Sequence, residues 1–113
     1  MGDGSFGMCV GELETLARLR LPLTAIVISN GTYGWIKAGQ KTGYGQRYFS
    51  VDFSATDHAA VASAFGIRSW RVTKPAELGP ALKAALSAAE PTLVDIVCQP
   101  LHEAKAPVSE WVA

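Results

Sequence analysis

The run Leu23-Thr24-Ala25-Ile26-Val27-Ile28 constrains the fold of this chain more than any other segment. It is apolar apart from one threonine and partly β-branched, which suits a strand buried on both faces of a parallel sheet. Such a strand needs helices beside it, and the preceding segment supplies one. From Met8 to Leu19, the residues Met8, Val10, Leu13, Leu16, Ala17 and Leu19 fall mostly on one helical stripe, while Glu12, Glu14, Arg18 and Arg20 turn to water. Pro22 stops that helix. The alternation recurs downstream. Asp57 to Phe65 reads as a helix followed by Gly66, and Ser69 to Val72 as a short strand. Pro75 suits the start of a helix whose stripe of Ala76, Leu78, Leu82, Ala85 and Leu86 ends near Ala89, and Thr92 to Cys98 gives the last strand. The order predicts an α/β fold, a right-handed parallel sheet with flanking helices.

The first strand also points to a binding edge. Asn30 lies just beyond its carboxyl end, which is where open α/β sheets bind ligands. A helix out and a strand back would return Asn30 beside Asp3, which sits between Gly2 and Gly4. Glycines allow a tight turn and close backbone approach, leaving the carboxylate free to hold a cation. Magnesium prefers hard oxygen donors, commonly one or two carboxylates, neutral oxygens and phosphate oxygens, and Asp3 with the Asn30 amide oxygen fits that set. Gly4 and Ser5 would open a helix beginning near Met8, so that free backbone N–H groups face an anion such as a diphosphate. Taken alone, each residue has a plainer reading: Asp3 as a helix cap, Asn30 as a residue tolerating a left-handed turn.

Gly2-Asp3-Gly4-Ser5-Phe6, the helix with Glu12-Leu13-Glu14-Thr15, the strand and Asn30-Gly31-Thr32-Tyr33-Gly34 together resemble the thiamine diphosphate-dependent enzymes of the acetolactate synthase and 2-oxoacid decarboxylase superfamily. Arg47-Tyr48, the helix from Asp57 with Gly66, and Pro91-Thr92-Leu93-Val94-Asp95 extend the resemblance over nearly the whole chain. The resemblance implies an incomplete pyrophosphate-binding domain over residues 1–98, short of a helix and a strand on its N-terminal side. It implies magnesium held by Asp3, Asn30 and the Thr32 backbone carbonyl. Gly4, Ser5, Tyr33 and Gly34 match positions whose backbone lies along the cofactor diphosphate, and Ile36 one that presses on the cofactor. The glutamate that activates the aminopyrimidine comes from another domain, and Glu12, Glu14, Glu77, Glu90, Glu103 and Glu110 read as solvated surface. The expected catalytic set within this chain is therefore empty. A pyrimidine-binding domain, in the same or another chain, is the expected partner, in a homodimer or homotetramer. The chain is then a fragment of a longer enzyme or a separate subunit, inactive by itself.

The substrate class implied is a small 2-oxoacid, handled by a carboligase or decarboxylase of acetolactate synthase type. Trp35 and Gly39 depart from the acetolactate synthases, which carry methionine and tryptophan at the matched positions. A 2-hydroxyacyl-CoA lyase or an oxalyl-CoA decarboxylase-like enzyme is the alternative, and a non-catalytic binding or assembly subunit a third. Gly2, Gly4 and Gly7 match the spacing of a dinucleotide fingerprint, but no strand stands before them.

A formal net charge of +0 without a basic stripe argues against nucleic acid, and no apolar run approaches the roughly 20 residues a membrane helix requires. No signal-peptide pattern opens the chain, so a cytoplasmic protein is expected. Cys9 and Cys98 read as small core residues of a reduced compartment. Thr32 to Ala38 suggests a short helix and Gln40 to Ser54 a long irregular segment, and Lys37, Lys41 and Arg47 form a solvated charge set or meet an anionic substrate. His58 and His102 show no partner in the sequence. Residues 99–113 are expected to cover a neighbouring domain or the substrate mouth, since Pro100, Pro107, Val108, Trp111 and Val112 are too apolar for a free linker.

Overall fold

The computed structural model describes residues 1–100. Its elements are α1 (Asp3–Cys9), α2 (Glu12–Leu19), β1 (Thr24–Ser29), α3 (Gly34–Gly43), α4 (His58–Ala64), β2 (Arg68–Val72), α5 (Pro75–Leu86) and β3 (Thr92–Val97). The three strands form one parallel sheet in the order β1-β3-β2, with Val27 opposite Asp95 and Arg71 opposite Asp95 on the other side. The last strand in sequence is thus central, and every connection carries helices, as parallel pairing requires. The α/β class with flanking helices is the architecture observed.

Two cores lie on the two faces of the sheet. On one, Phe6 of α1 and Leu13 of α2 pack with Ala62 of α4 and Ile67 against Ala25, Val27 and Leu93. On the other, Ala81 and Ala85 of α5 pack against Val72 and Val94, with Trp70 and Ile96 at the margin. Glu77 caps α5, accepting from the N–H groups of Thr73 (3.0 Å) and Lys74 (3.1 Å), and Pro75 follows the cap. Pro80 lies inside the helix and removes the bond that its position would donate to Ala76 O.

The first helix differs from its expectation. The chain is already helical at Asp3, and two short helices replace the single one read from Met8 to Leu19. At the break the ladder tightens: Leu13 N–H donates to Val10 O and Glu14 N–H to Gly11 O, both at 3.2 Å and both spanning three residues. That step brings Phe6 and Leu13 into one core and leaves Met8 and Leu19 exposed. β1 is also less buried than its composition suggests. Ala25, Val27 and Ser29 are buried, whereas Ile26 is intermediate and Ile28 exposed. The reason is placement, because α5 covers β2 and β3 and meets the start of β1 through Thr24 Oγ1 donating to Ala85 O (3.2 Å).

The outer edge of β1 is engaged by the first two residues. Ile28 N–H donates to Met1 O at 2.8 Å, the Met1 amine donates to Ile26 O at 2.7 Å, and Gly2 pairs with Ile28 in a parallel bridge. This pairing ties down the entry to Asp3. α3 runs to Gly43, longer than the short helix expected, so the irregular segment is 44–57. Cys9 and Cys98 are free and exposed, not core, because Cys9 closes a surface helix and Cys98 follows β3 where the sheet ends. Among the described residues no helix is long and apolar enough to cross a membrane. Of the expected tail contacts, those of Pro107, Val108, Trp111 and Val112, together with His102, fall outside the described residues.

Candidate functional site

Asp3 and Asn30 start from opposite ends of the α1–α2–β1 unit and meet at the carboxyl edge of the sheet. Asp3 is only 6% exposed. It is the first residue of α1, whose N-cap is Gly2, so the capping reading does not hold. Its Oδ1 accepts from Gly4 N–H at 3.0 Å and its Oδ2 from Gly31 N–H at 2.7 Å. Asn30 does not take a left-handed turn. Gly31 takes it, at φ 71°, and Asn30 Oδ1 accepts from Thr32 N–H at 3.1 Å. Asn30 thereby presents a fixed amide group.

Thr32 and Tyr33 are held from behind by the long connection after α3. Thr32 Oγ1 and Tyr33 N–H both donate to Val51 O at 2.8 Å, Phe53 N–H donates to Gly31 O at 2.8 Å, and Thr32 pairs with Asp52 in an antiparallel bridge. Tyr33 meets Phe53 edge to face with 4.4 Å between ring centroids. A Cβ built on Gly4 would lie 2.5 Å from the Tyr33 ring and 2.9 Å from Phe53. Glycine is thus required at position 4 for the two turns to close on each other.

One cavity of about 420 Å³ collects these residues. Asp3, Asn30 and Thr32 line it, as do Gly4, Ser5, Tyr33, Gly34 and Ile36, together with Gly2 and Trp35. Every residue singled out from the sequence for metal or diphosphate therefore borders one volume, of a size usual for small-molecule sites. The N-terminal ends of both α1 and α3 open onto it. Ile36 and Trp35 are 55% and 74% exposed. Next to it, Ile36, Gly39, Gln40, Tyr44, Arg47 and Phe49 line a second, more apolar hollow of about 540 Å³. Lys37 is not among those residues; its Nζ donates to Asp52 Oδ1 at 2.7 Å and lies over the Tyr48 ring.

The donor set around Asp3 is oxygen from one carboxylate, one amide and the backbone. Among the described residues there is no group of three His, Cys, Asp or Glu able to hold a metal. That composition suits a hard cation completed by an anion's oxygens and disfavours a zinc-type site.

Sequence reasoning missed a buried polar cluster beneath the Asn30 turn. Asp95, fully buried, accepts from Ser29 Oγ at 2.5 Å, from His58 N–H at 3.2 Å and from Arg71 at 2.9 Å. His58 Nδ1 lies 3.0 Å from Ser29 Oγ. His58 is therefore partnered and not a surface residue. The available signal was Asp95 itself, a charge set inside the otherwise apolar β3 segment.

Residues 1–96 match the family described as thiamine pyrophosphate enzyme, C-terminal TPP binding domain. A probable acetolactate synthase large subunit of Methanococcus aeolicus is 37% identical over 100 residues, covering 88% of this chain and 17% of the relative. Sulfoacetaldehyde acetyltransferase of Castellaniella defragrans is 33% identical over 101 residues, covering 86% and 17%. The structure of the thiamine diphosphate-dependent 4-hydroxybenzoylformate decarboxylase of Rhodococcus jostii RHA1 superposes with a TM-score of 0.82 at 28% identity, over 88% of this chain and 19% of that one. The chain spans about a sixth of the length of the curated relatives it matches. Family match, fold and site geometry agree: this chain belongs to the thiamine pyrophosphate enzymes and carries their C-terminal cofactor-binding domain.

Proposed function

We propose that this chain forms the magnesium- and diphosphate-binding half of an active site that breaks or forms a carbon–carbon bond next to the carbonyl of a 2-oxoacid. The observation that carries the reading is the single cavity bordered by Asp3, Asn30 and Thr32 together with Gly4, Ser5, Tyr33 and Gly34. Asp3, Asn30 and the Thr32 carbonyl would hold Mg2+. The backbone of Gly4, Ser5, Tyr33 and Gly34 would lie along the diphosphate, with the positive ends of α1 and α3 favouring its charge. Ile36 would give the apolar contact to the rest of the cofactor. The bound cofactor supplies the electron sink for the bond that breaks, and the protein's part is to hold and orient it.

The carbonyl chemistry is carried over from the relatives, which include a synthase, an acetyltransferase and a decarboxylase. None of the described glutamates borders the cavity. Glu14 pairs with Arg18 at 2.9 Å, Glu77 caps α5 and Glu90 faces Arg68 at 3.6 Å. By the family resemblance, the activating carboxylate is assigned to a pyrimidine-binding domain outside this chain, in a homodimer or homotetramer. The hollow beside Ile36, with Gly39 and Arg47, would receive the substrate's side group.

Calorimetry of thiamine diphosphate binding to the complete protein, with and without magnesium, tests the assignment. Binding should depend on magnesium and weaken by at least about 100-fold in Asp3→Ala, which removes the one charged ligand. Unchanged binding by that variant would remove the assignment. Separate expression of residues 1–113 should give no turnover.

A further inference from the structure

His58 contacts a residue behind each half of the clamp, Phe6 and Ser29, and nothing in the proposed chemistry uses it. On one edge its ring lies against Phe6, with centroids 5.3 Å apart and planes at 88°. Phe6 is 3% exposed and stands three residues after Asp3 on α1. On the other edge His58 Nδ1 is 3.0 Å from Ser29 Oγ, and Ser29 immediately precedes Asn30. The proton positions follow from counting donors. Ser29 has one hydroxyl hydrogen, and the 2.5 Å contact directs it to Asp95 Oδ1, so the serine oxygen accepts at its other contact and Nδ1–H donates. Asp95 can hold this arrangement because Arg71 and the His58 backbone N–H occupy its second oxygen. The imidazole orientation is thus set by a buried carboxylate acting through a serine.

We propose that His58 is a positioning residue for the magnesium and diphosphate site, fixing the separation of the Asp3 and Asn30 turns through Phe6 and Ser29. The inference rests on the assignment of Asp3 and Asn30 as the metal-binding pair. The turns are joined directly by the bond from Gly31 N–H to Asp3 Oδ2, by the pairing of Met1 and Gly2 with Ile28 and by Gly4 against the Tyr33 ring, and His58 packs behind them between Phe6 and Ser29. Magnesium demands near-octahedral geometry, so slack between two ligand-bearing turns lowers affinity. Groups that orient metal ligands from behind commonly account for 10–100-fold in affinity.

The test is a magnesium titration of the complete protein at saturating thiamine diphosphate, read by cofactor binding in circular dichroism and not by turnover. His58→Leu, which keeps bulk against Phe6 but has no donor, should raise the half-saturating magnesium concentration by about tenfold. His58→Asn, whose side-chain N–H can stand near the place of Nδ1, should return it to within about threefold of the parent. Rescue by the amide separates positioning from a general loss of packing. Parent-like half-saturation in folded His58→Leu, or equal impairment of both variants, would overturn the proposal. Should His58→Leu not fold, Ser29→Ala asks the same question: a rise of about tenfold supports it and an unchanged value overturns it. Asp3→Ala run in parallel separates the two levels of the argument. If that variant keeps the parent's magnesium dependence, the site assignment fails and takes this inference with it. If it loses the dependence while His58→Leu and Ser29→Ala do not shift, the positioning role alone is wrong.

Discussion

Asp3 Oδ2 accepts a hydrogen bond from the backbone N–H of Gly31 at 2.7 Å, joining the first turn of α1 to the turn that follows β1. One carboxylate therefore closes the protein's site upon itself as well as offering oxygen to a cation. The two roles separate experimentally. Without magnesium or cofactor, Asp3→Ala should still lower stability by about 1–2 kcal/mol, since two backbone donors lose a charged acceptor. Urea unfolding of ligand-free protein measures it, and an unchanged midpoint would show that the turns are held together by other contacts.

Gly4→Ala should disturb the same closure sterically. The new methyl would lie 2.5 Å from the Tyr33 ring, which is itself packed on Phe53, so both rings must shift. The expected cost is about 1–3 kcal/mol, with weaker cofactor binding because Tyr33 borders the cavity. Gly7→Ala is the control, as nothing lies within 4 Å of a Cβ there. Equal behaviour of the two variants in thermal unfolding would contradict the steric account.

Asp95→Ala should cost about 3 kcal/mol, since it takes the buried acceptor from Ser29 Oγ and the His58 N–H and leaves Arg71 only Thr56 O and Asp57. Adding Arg71→Leu should recover part of that loss. A double-mutant cycle by chemical denaturation measures the coupling, and strict additivity would count against a shared network.

Asp57 provides a pH signature. Its carboxylate caps α4 by accepting from Ala60 N–H at 2.8 Å, and this bond holds its carboxyl below the ordinary 3.8, opposed by slight burial and helped by Arg71. A group whose folded pKa is depressed stabilises above its unfolded pKa and loses that contribution as pH falls through the folded one. Asp57→Ala should therefore cost about 1 kcal/mol near neutral pH. The gap to the parent should close as pH falls below about 4. Urea midpoints for both proteins across that range check the sign; a gap that widens in acid would exclude the capping account.

Local chemistry made several features legible in the sequence. The β-branched run before Asn30 specifies a strand, Asp57 and Gly66 bound α4 with a side-chain cap and a positive-φ glycine, and Thr73 to Pro75 opens α5. The return of Asn30 beside Asp3, with Gly4 and Ser5 opening a helix there, was likewise foreseeable, because a helix followed by a parallel strand brings the chain back to the same edge, whereas Thr32, Tyr33, Gly34 and Ile36 were named only through the family resemblance. The exposure of Ile28 was not, since it depends on where a helix 50 residues later comes to rest.

The sequence by itself determined the helix or strand type of most elements, the parallel α/β class and the residue types able to hold a hard cation and a diphosphate, because these follow from local patterning and side-chain chemistry. Only the tertiary structure decided that Val51 and Phe53 brace the Asn30 to Tyr33 segment, and that His58, Ser29 and Asp95 share one buried cluster. Those contacts join residues from 18 positions apart, Tyr33 and Val51, to 66 apart, Ser29 and Asp95. No local pattern encodes such pairings, since they form when sheet register and helix packing bring particular side chains to one edge.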